Sequence, residues 1–199
     1  GLYMLVAQAA RAARLFTGGG ADESLAEPVY RKLARDVSNI VLIGMPGCGK
    51  TSVGRALSLS LGRPLIDTDM EVERVASRTI AEIFEKDGEP AFRRLEAAAV
   101  AQAGRQSGVV IATGGGAPLS AENQACLRQN GRIYCIERDL SALSREGRPL
   151  STDARALAVM YAARAPVYRT LCDRQVRNAR SIAACAAEIE EDFCENTGD

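Results

Sequence analysis

Histidine is absent from the 199 residues, and lysine nearly so: Lys32, Lys50 and Lys86 are the only lysines among 25 basic residues, the rest being arginine. Without imidazole, a general base must be a carboxylate, a lysine or a cysteine. Zinc chemistry loses its usual nitrogen ligand as well, and the six cysteines (Cys48, Cys126, Cys135, Cys172, Cys185, Cys194) include no C-x-x-C pair. Thiols scattered in this way read as reduced cysteines of a cytoplasmic protein. Charge of one sign is missing too. With 25 basic and 25 acidic residues the formal net charge is zero, which argues against nucleic acid or an anionic membrane as a partner. No apolar run reaches membrane-spanning length. The apolar stretch at the start is followed, not preceded, by Arg11 and Arg14, the reverse of a signal peptide. At 47% hydrophobic residues the chain can bury one good core and a small appendage.

What the chain has is a strand, a glycine-rich loop and a helix in succession. Ile40-Val41-Leu42-Ile43 reads as a buried strand, Gly44-Met45-Pro46-Gly47-Cys48-Gly49-Lys50-Thr51 completes a G-x-x-x-x-G-K-[ST] pattern, and a helix-like segment follows from Ser52. The glycines let the backbone turn its N–H groups towards a phosphate. Lys50 adds a mobile positive charge, and Thr51 offers a hydroxyl to magnesium. The helix aims the positive end of its dipole at the same anion. The pattern points to a nucleoside triphosphate; the alternative is a plain glycine-rich turn. Cys48, inside the loop, is open to thiol reagents on this reading, or is simply a small residue.

Elsewhere the periodicity sets out an alternating fold. Leu2, Leu5, Val6, Ala9, Ala13 and Phe16 fall near one helical face, and the break at Thr17-Gly18-Gly19-Gly20 leads into a linker over 21–28 and a short helix over 29–35. From Ser38 onward, strands are expected at 40–43, 64–67, 109–112, 132–136 and 171–176. Helices are expected at 51–61, 70–84, 89–106, 120–130, 140–146, 154–164 and 181–193. Such alternation implies an α/β domain with a parallel sheet flanked by helices and ligands at the carboxyl edge of its strands.

Four further motifs could carry chemistry. Asp67-Thr68-Asp69 ends the second strand; its two carboxylates suit a metal's water shell and a proton acceptor, or else Asp69 merely caps the next helix. Arg93 and Glu96, at i and i+3, can share a helical face and on their own read as a surface ion pair. Thr113-Gly114-Gly115-Gly116 after the third strand offers bare backbone to a substrate, or is a flexible turn. The arginine-proline loops at 145–150 and 164–168 place Arg148 and Arg164 where they can clamp phosphates or a carboxylate, or remain solvated.

Taken together and in this order, these pieces resemble the shikimate kinase family over residues 38–199. The matching runs are the loop Gly44 to Thr51, D-x-D-x-x-[IV]-E from Asp67 to Glu73, G-E-x-x-F-R-x-x-E from Gly88 to Glu96, the triple glycine, Arg148-Pro149-Leu150 at the lid's end, and R-x-P-x-Y from Arg164 to Tyr168. The resemblance implies a P-loop NTPase fold, nucleoside-monophosphate-kinase-like with a lid. It implies a monomeric kinase domain in the cytoplasm that phosphorylates the 3-hydroxyl of shikimate with ATP and Mg2+, a step of aromatic amino-acid biosynthesis. Carried over residue by residue, Gly47, Cys48, Gly49, Lys50, Thr51 and Ser52 hold the ATP phosphates; Thr51 binds magnesium and Asp67 supports it through water. Asp69 bonds the acceptor hydroxyl as base, Arg93 and Arg164 grip the shikimate carboxylate, and Gly115, between Gly114 and Gly116, meets the substrate through its backbone. Arg148 swings in with the lid and, with Lys50, offsets charge on the transferring phosphoryl group.

Two other readings stay open here. One is another small-molecule kinase on the same core, acting on gluconate or a nucleoside monophosphate; the Arg93 and Arg164 pair favours an acceptor that carries a carboxylate. The other is a catalytically silent nucleotide-binding module, against which stand intact Lys50, Thr51, Asp67 and Asp69. The front end adds a second resemblance. Gly1-Leu2-Tyr3-Met4-Leu5-Val6-Ala7-Gln8-Ala9-Ala10 is similar to the C-terminal helix of shikimate dehydrogenase, which makes the kinase's substrate. This implies a fused dehydrogenase–kinase polypeptide, with a remnant at 1–20, a linker with a short helix at 21–37 and the kinase-like domain at 38–199.

The sequence departs from the kinase family at the lid, where only Glu146 and Gly147 separate Arg145 from Arg148. Leu150 is followed by Ser151 in place of a common second leucine, and Arg180 is a looser candidate for the adenine. A short lid excludes water less well. The expected outcome is measurable ATP hydrolysis without acceptor in a coupled ATPase assay, and a tight enzyme with no such leak would contradict it.

Overall fold

The computed structural model describes residues 1–17, 26–143 and 154–197. Five parallel strands, β1 (Asn39–Ile43), β2 (Leu65–Asp67), β3 (Val110–Ala112), β4 (Gly131–Glu137) and β5 (Arg174–Arg177), form one sheet in the order β2-β3-β1-β4-β5. All five residues of β1 are buried, as an apolar run covered on both faces by helices should be. β1 pairs with β3 through Val41 and Ile111 and with β4 through Val41 and Ile133, so the sheet changes winding direction around it. Ligands bind at such a switch point, beyond the carboxyl ends of the strands.

Eight helices accompany the sheet among the described residues: α1 (Leu2–Thr17), α2 (Ala26–Val37), α3 (Lys50–Leu61), α4 (Thr68–Ala76), α5 (Ile80–Gly104), α6 (Ala121–Arg128), α7 (Ala154–Leu171) and α8 (Ile182–Asn196). The main core joins the strands to Val53 and Leu57 of α3, Val100 of α5, Leu127 of α6, Tyr168 of α7 and Ile189 and Phe193 of α8. A second cluster of Val72, Ile83 and Phe92 joins α4 to α5.

The periodicity misplaced several boundaries. The helix expected at 70–84 is divided at Ser77–Thr79. Ser77 ends α4 at φ 50°, and Thr79 opens α5 with a capping box, its side chain accepting from the Glu82 N–H while Glu82 accepts from the Thr79 N–H. Gly88, at φ 77° and ψ 172°, interrupts α5 where the break before residue 89 was expected. α2 begins at Ala26, inside the expected linker, because Pro28 sits in its first turn, where no intrahelical N–H is required. α7 runs to Leu171 straight through Pro166, so Arg164 stands on a helix, not on a loop. The turn tolerates the proline because Ala162, whose carbonyl loses its partner, is exposed to water. β5 accordingly starts at Arg174, not at 171. Of the helix expected at 140–146, the described part is a 3₁₀ turn, Leu140–Ala142.

α1 lies on α2, with Val6 buried and the Tyr3 ring edge-on to Tyr30 at 5.3 Å. α2 is tied to the core by Arg63, which donates to the carbonyls of Ser38 and Arg35 at 2.6 Å each and stacks over Phe193. Tyr3, Met4, Leu5, Leu15 and Phe16 remain exposed.

A buried carboxylate fastens α8 to the sheet. Asp192 accepts from Arg132 Nε (2.9 Å), the Tyr134 hydroxyl (2.8 Å), Arg174 (2.7 Å) and Asn196 (3.1 Å). Burial alone would raise its pKa, but these donors hold it below the usual aspartate value. Its contribution is therefore present above the unfolded-state pKa near 4 and lost as pH falls through the lower folded value. Asp192→Ala is expected to cost about 2–4 kcal/mol in urea denaturation at neutral pH, with the deficit unchanged down to about pH 5.

Candidate active site

β1 delivers the chain into the phosphate loop, and α3 starts at Lys50, directly behind it. Lys50 is buried; its Nζ donates to the carbonyls of Gly44 and Met45, both at 3.0 Å, so the ammonium is folded back on its own loop. Thr51 Oγ1 donates to Asp67 Oδ2 at 2.7 Å. The other Asp67 oxygen accepts the N–H groups of Asp69 (3.1 Å) and Met70 (3.3 Å). Asp67, not Asp69, is thus the cap of α4. Capturing those two N–H groups turns the chain into helix at Thr68 and moves Asp69 from the strand end into the first helical turn. A hydroxyl and a carboxylate beside a phosphate loop are the hard oxygen donors that Mg2+ prefers, so the pair fits the ion. Among the described residues no group of three or more His, Cys, Asp or Glu side chains is placed to hold a metal ion.

The carboxyl of Asp69 is pushed up to about 6, first by burial and then by the charge of Asp67, with Lys50 pulling the other way. It packs against the triple glycine: a Cβ at Gly114 would collide with Asp69 Oδ1, and one at Gly116 with the Arg93 guanidinium. The glycines are therefore close-approach positions, not a flexible turn. The turn is held by Gly114 N–H donating to Thr68 Oγ1 (3.0 Å) and by the Tyr168 hydroxyl donating to the Gly115 carbonyl (2.6 Å).

Arg93 donates to Glu96 from one Nη (2.8 Å) and to Glu89 from Nε (3.2 Å) and the other Nη (2.8 Å). Three of five donors are spent, and one N–H on each Nη remains for a ligand. The Arg93–Glu96 pair is no surface pair, because the Glu96 side chain is only 3% exposed. Burial raises the Glu96 pKa, while Arg93 and then Arg164 oppose the shift.

One cavity of about 800 Å³ collects these groups. Gly47, Gly49, Lys50, Thr51 and Ser52 line it with Asp67, Asp69, Arg93, Gly114, Gly115, Gly116 and Arg164. Cys48 does not: its side chain is fully buried, 3.9 Å from Lys50 Nζ, which shuts out thiol reagents, and its N–H donates to the Met45 carbonyl at 3.2 Å. Arg180 is absent from the lining too, where Ile182 and Arg138 stand. Arg145 and Arg148 lie outside the described residues. Sequence reasoning missed the apolar wall of Ile80, Phe84 and Phe92, the tether from Tyr168, and Asn178, which donates to the Cys48 carbonyl at 2.8 Å. The wall left a signal in the Thr79-x-x-Glu82 box and in Phe92 of the G-E-x-x-F-R-x-x-E run, and Tyr168 left one in the R-x-P-x-Y run; Asn178 left none.

A family model described as shikimate kinase matches residues 46–194. The chain is similar to the shikimate kinase of Symbiobacterium thermophilum, with 41% identity over 164 residues, covering 77% of this chain and 94% of that one. Among solved structures it is similar to shikimate kinase from Acinetobacter baumannii in complex with shikimate, with a TM-score of 0.78 and 32% identity over 83% of this chain and 98% of that one. A gluconokinase from Sinorhizobium meliloti aligns over 82% of this chain and 95% of that one at a TM-score of 0.53 and 17% identity, a likeness of fold alone.

The raised Asp69 pKa has a stability consequence. A carboxyl whose folded pKa exceeds its unfolded value of 3.8 stabilises the fold below pH 4 and loses that contribution as pH rises through about 6. Asp69→Asn is therefore expected to raise stability at pH 7.5 by about 1–2 kcal/mol and to leave it unchanged near pH 4. Carboxyl-carbon NMR of the ligand-free protein should show Asp69 titrating near 6, and at a lower value in Asp67→Asn.

Proposed function

The chain belongs to the shikimate kinase family, and on that premise we infer how its residues transfer the γ-phosphoryl group of ATP to the 3-hydroxyl of shikimate, giving shikimate 3-phosphate and ADP. One observation carries the assignment of roles: the partly buried Asp69 shares its cavity with the phosphate loop and with Arg93 and Arg164, and feels the charges of both Lys50 and Glu96.

The N–H groups of Gly47, Gly49, Lys50, Thr51 and Ser52 hold the ATP phosphates at the start of α3, joined by that of Cys48 once it leaves the Met45 carbonyl. Lys50 exchanges its two carbonyl partners for phosphate oxygens and follows the charge of the transferring group. Thr51 and Asp67 would hold magnesium, Asp67 through water; when bound, the ion neutralises charge building on the phosphates. The free N–H groups of Arg93, with Arg164, bind the shikimate carboxylate, and the Gly115 backbone meets its ring. Asp69 accepts the proton of the 3-hydroxyl. A pKa near 6 leaves it ionised at neutral pH yet a better proton acceptor than an ordinary aspartate. Arg148 adds a second cation from the lid.

The N-terminal segment has its own reading. Residues 1–20 are the end of a shikimate dehydrogenase-like domain, residues 21–37 a linker that contains α2, and residues 38–199 a monomeric kinase domain. The exposed Tyr3, Met4, Leu5, Leu15 and Phe16 of α1 support it, since such a face needs a covering partner. A coding sequence upstream of Gly1 without a dinucleotide-binding domain would refute it. Six free cysteines suit the cytoplasm, where ATP is also available; among the described residues no helix is long and apolar enough to cross a membrane.

Two kinetic outcomes test the roles. Asp69→Asn should lower kcat by about 10²–10⁴-fold with ADP affinity nearly unchanged, and kcat/KM of the native enzyme should fall as pH drops through about 6. Arg164→Ala should raise KM for shikimate by about 10–100-fold and abolish discrimination against its methyl ester. Activity only with gluconate or a nucleoside monophosphate would overturn the acceptor assignment.

A further inference from the structure

We propose that Asn178 is a positioning residue for nucleotide binding, its carboxamide fixing the peptide plane between Cys48 and Gly49 so that the Gly49 N–H faces the phosphates. The inference rests on the nucleotide reading of the loop and adds what sets the direction of one of its donors.

The side chain of Asn178 is buried, and its Nδ2 donates to the Cys48 carbonyl at 2.8 Å. In a trans peptide the carbonyl and the next N–H point in opposite directions. Drawing the Cys48 carbonyl towards Asn178, away from the cavity, therefore turns the Gly49 N–H into it. Gly49 completes the fit. Its φ of 105° lies in the left-handed region, and a Cβ there would stand 2.6 Å from Asn178 Nδ2, so only glycine lets the carboxamide approach.

Asn178 can act as a brace because it is itself braced. Its N–H donates to the Glu137 carbonyl at 2.8 Å, which extends the β4–β5 ladder one residue past β5. Three residues on, Ser181 caps α8 by accepting the Ala184 N–H at 3.1 Å. The segment 178–181 is thereby anchored to the sheet at one end and to a helix at the other. A free loop would have to select its phosphate-binding conformation at each encounter, at a cost in apparent affinity. The bond to Cys48 removes that cost for one peptide unit.

The test is ADP binding by calorimetry with steady-state kinetics on two variants of the full chain. Asn178→Ala, which loses the donor, should weaken ADP and raise KM for ATP about five- to tenfold, with KM for shikimate unchanged and the ligand-free Tm within about 2 °C of the parent. Asn178→Asp turns an acceptor oxygen towards the Cys48 carbonyl and should weaken ADP further at pH 7.5. Relative to the parent protein at each pH, that extra loss should shrink by pH 5.5, where the protonated carboxyl donates again. Unchanged ADP affinity in both variants overturns the proposal, as does an equal loss for ADP and shikimate, which marks general loosening. A parent protein that binds no ADP would overturn the nucleotide reading along with it.

Discussion

Asp67 accepts the Thr51 hydroxyl on one carboxylate oxygen and the N–H groups of Asp69 and Met70 on the other. Through that one side chain the phosphate loop and the first turn of α4 are held in register across the edge of the sheet. The spacing between donor and acceptor sides of the cavity follows from it. Asp69 is set as the second residue of α4, and the loop is set by α3, whose second residue is Thr51. Charge–charge repulsion is the counterpart of this arrangement. Asp67 contributes to the raised pKa of Asp69, so the residue that organises the site also keeps its neighbour near the point of titration.

The other side of the cavity is organised by absence of side chains. Gly114 and Gly116 lie where Asp69 and Arg93 leave no room for a Cβ, and the turn that carries them is pinned by Thr68 and Tyr168. Bare backbone, a buried Glu96 and two arginines thus occupy a volume that ordinary side chains would fill. Arg93 stays charged there because its bonds to Glu96 and Glu89 more than offset the burial that would lower its pKa.

Much of this was legible in the sequence, for identifiable reasons. β1, the loop and α3 are encoded locally, by a continuous apolar run followed by glycines at fixed offsets, and local patterns survive without tertiary context. The roles of Asp67 and Asp69 were not separable in the same way. Both are capping residue types two positions apart, and only the direction of the Asp67 side chain decides between them. Pro166 suggested a loop at Arg164, and the rule failed because Ala162, the residue whose carbonyl it orphans, is exposed. Asn178 left no trace in the pattern, since it meets Cys48 from 130 residues away and the parallel registers of β1 with β4 and of β4 with β5 together bring them into reach. The capping box at Thr79 was written in the chain, but the apolar periodicity of α4 and α5 reads through it.

Arg164 and Tyr168 are four residues apart on α7, so they project from one face of one helix. The residue expected to hold the acceptor's carboxylate and the residue that tethers the glycine turn are therefore mounted on a single rod, about 27 Å long at 18 residues. Any rotation of that rod moves both residues at once, which makes α7 a lever that couples Arg164 to the glycine turn.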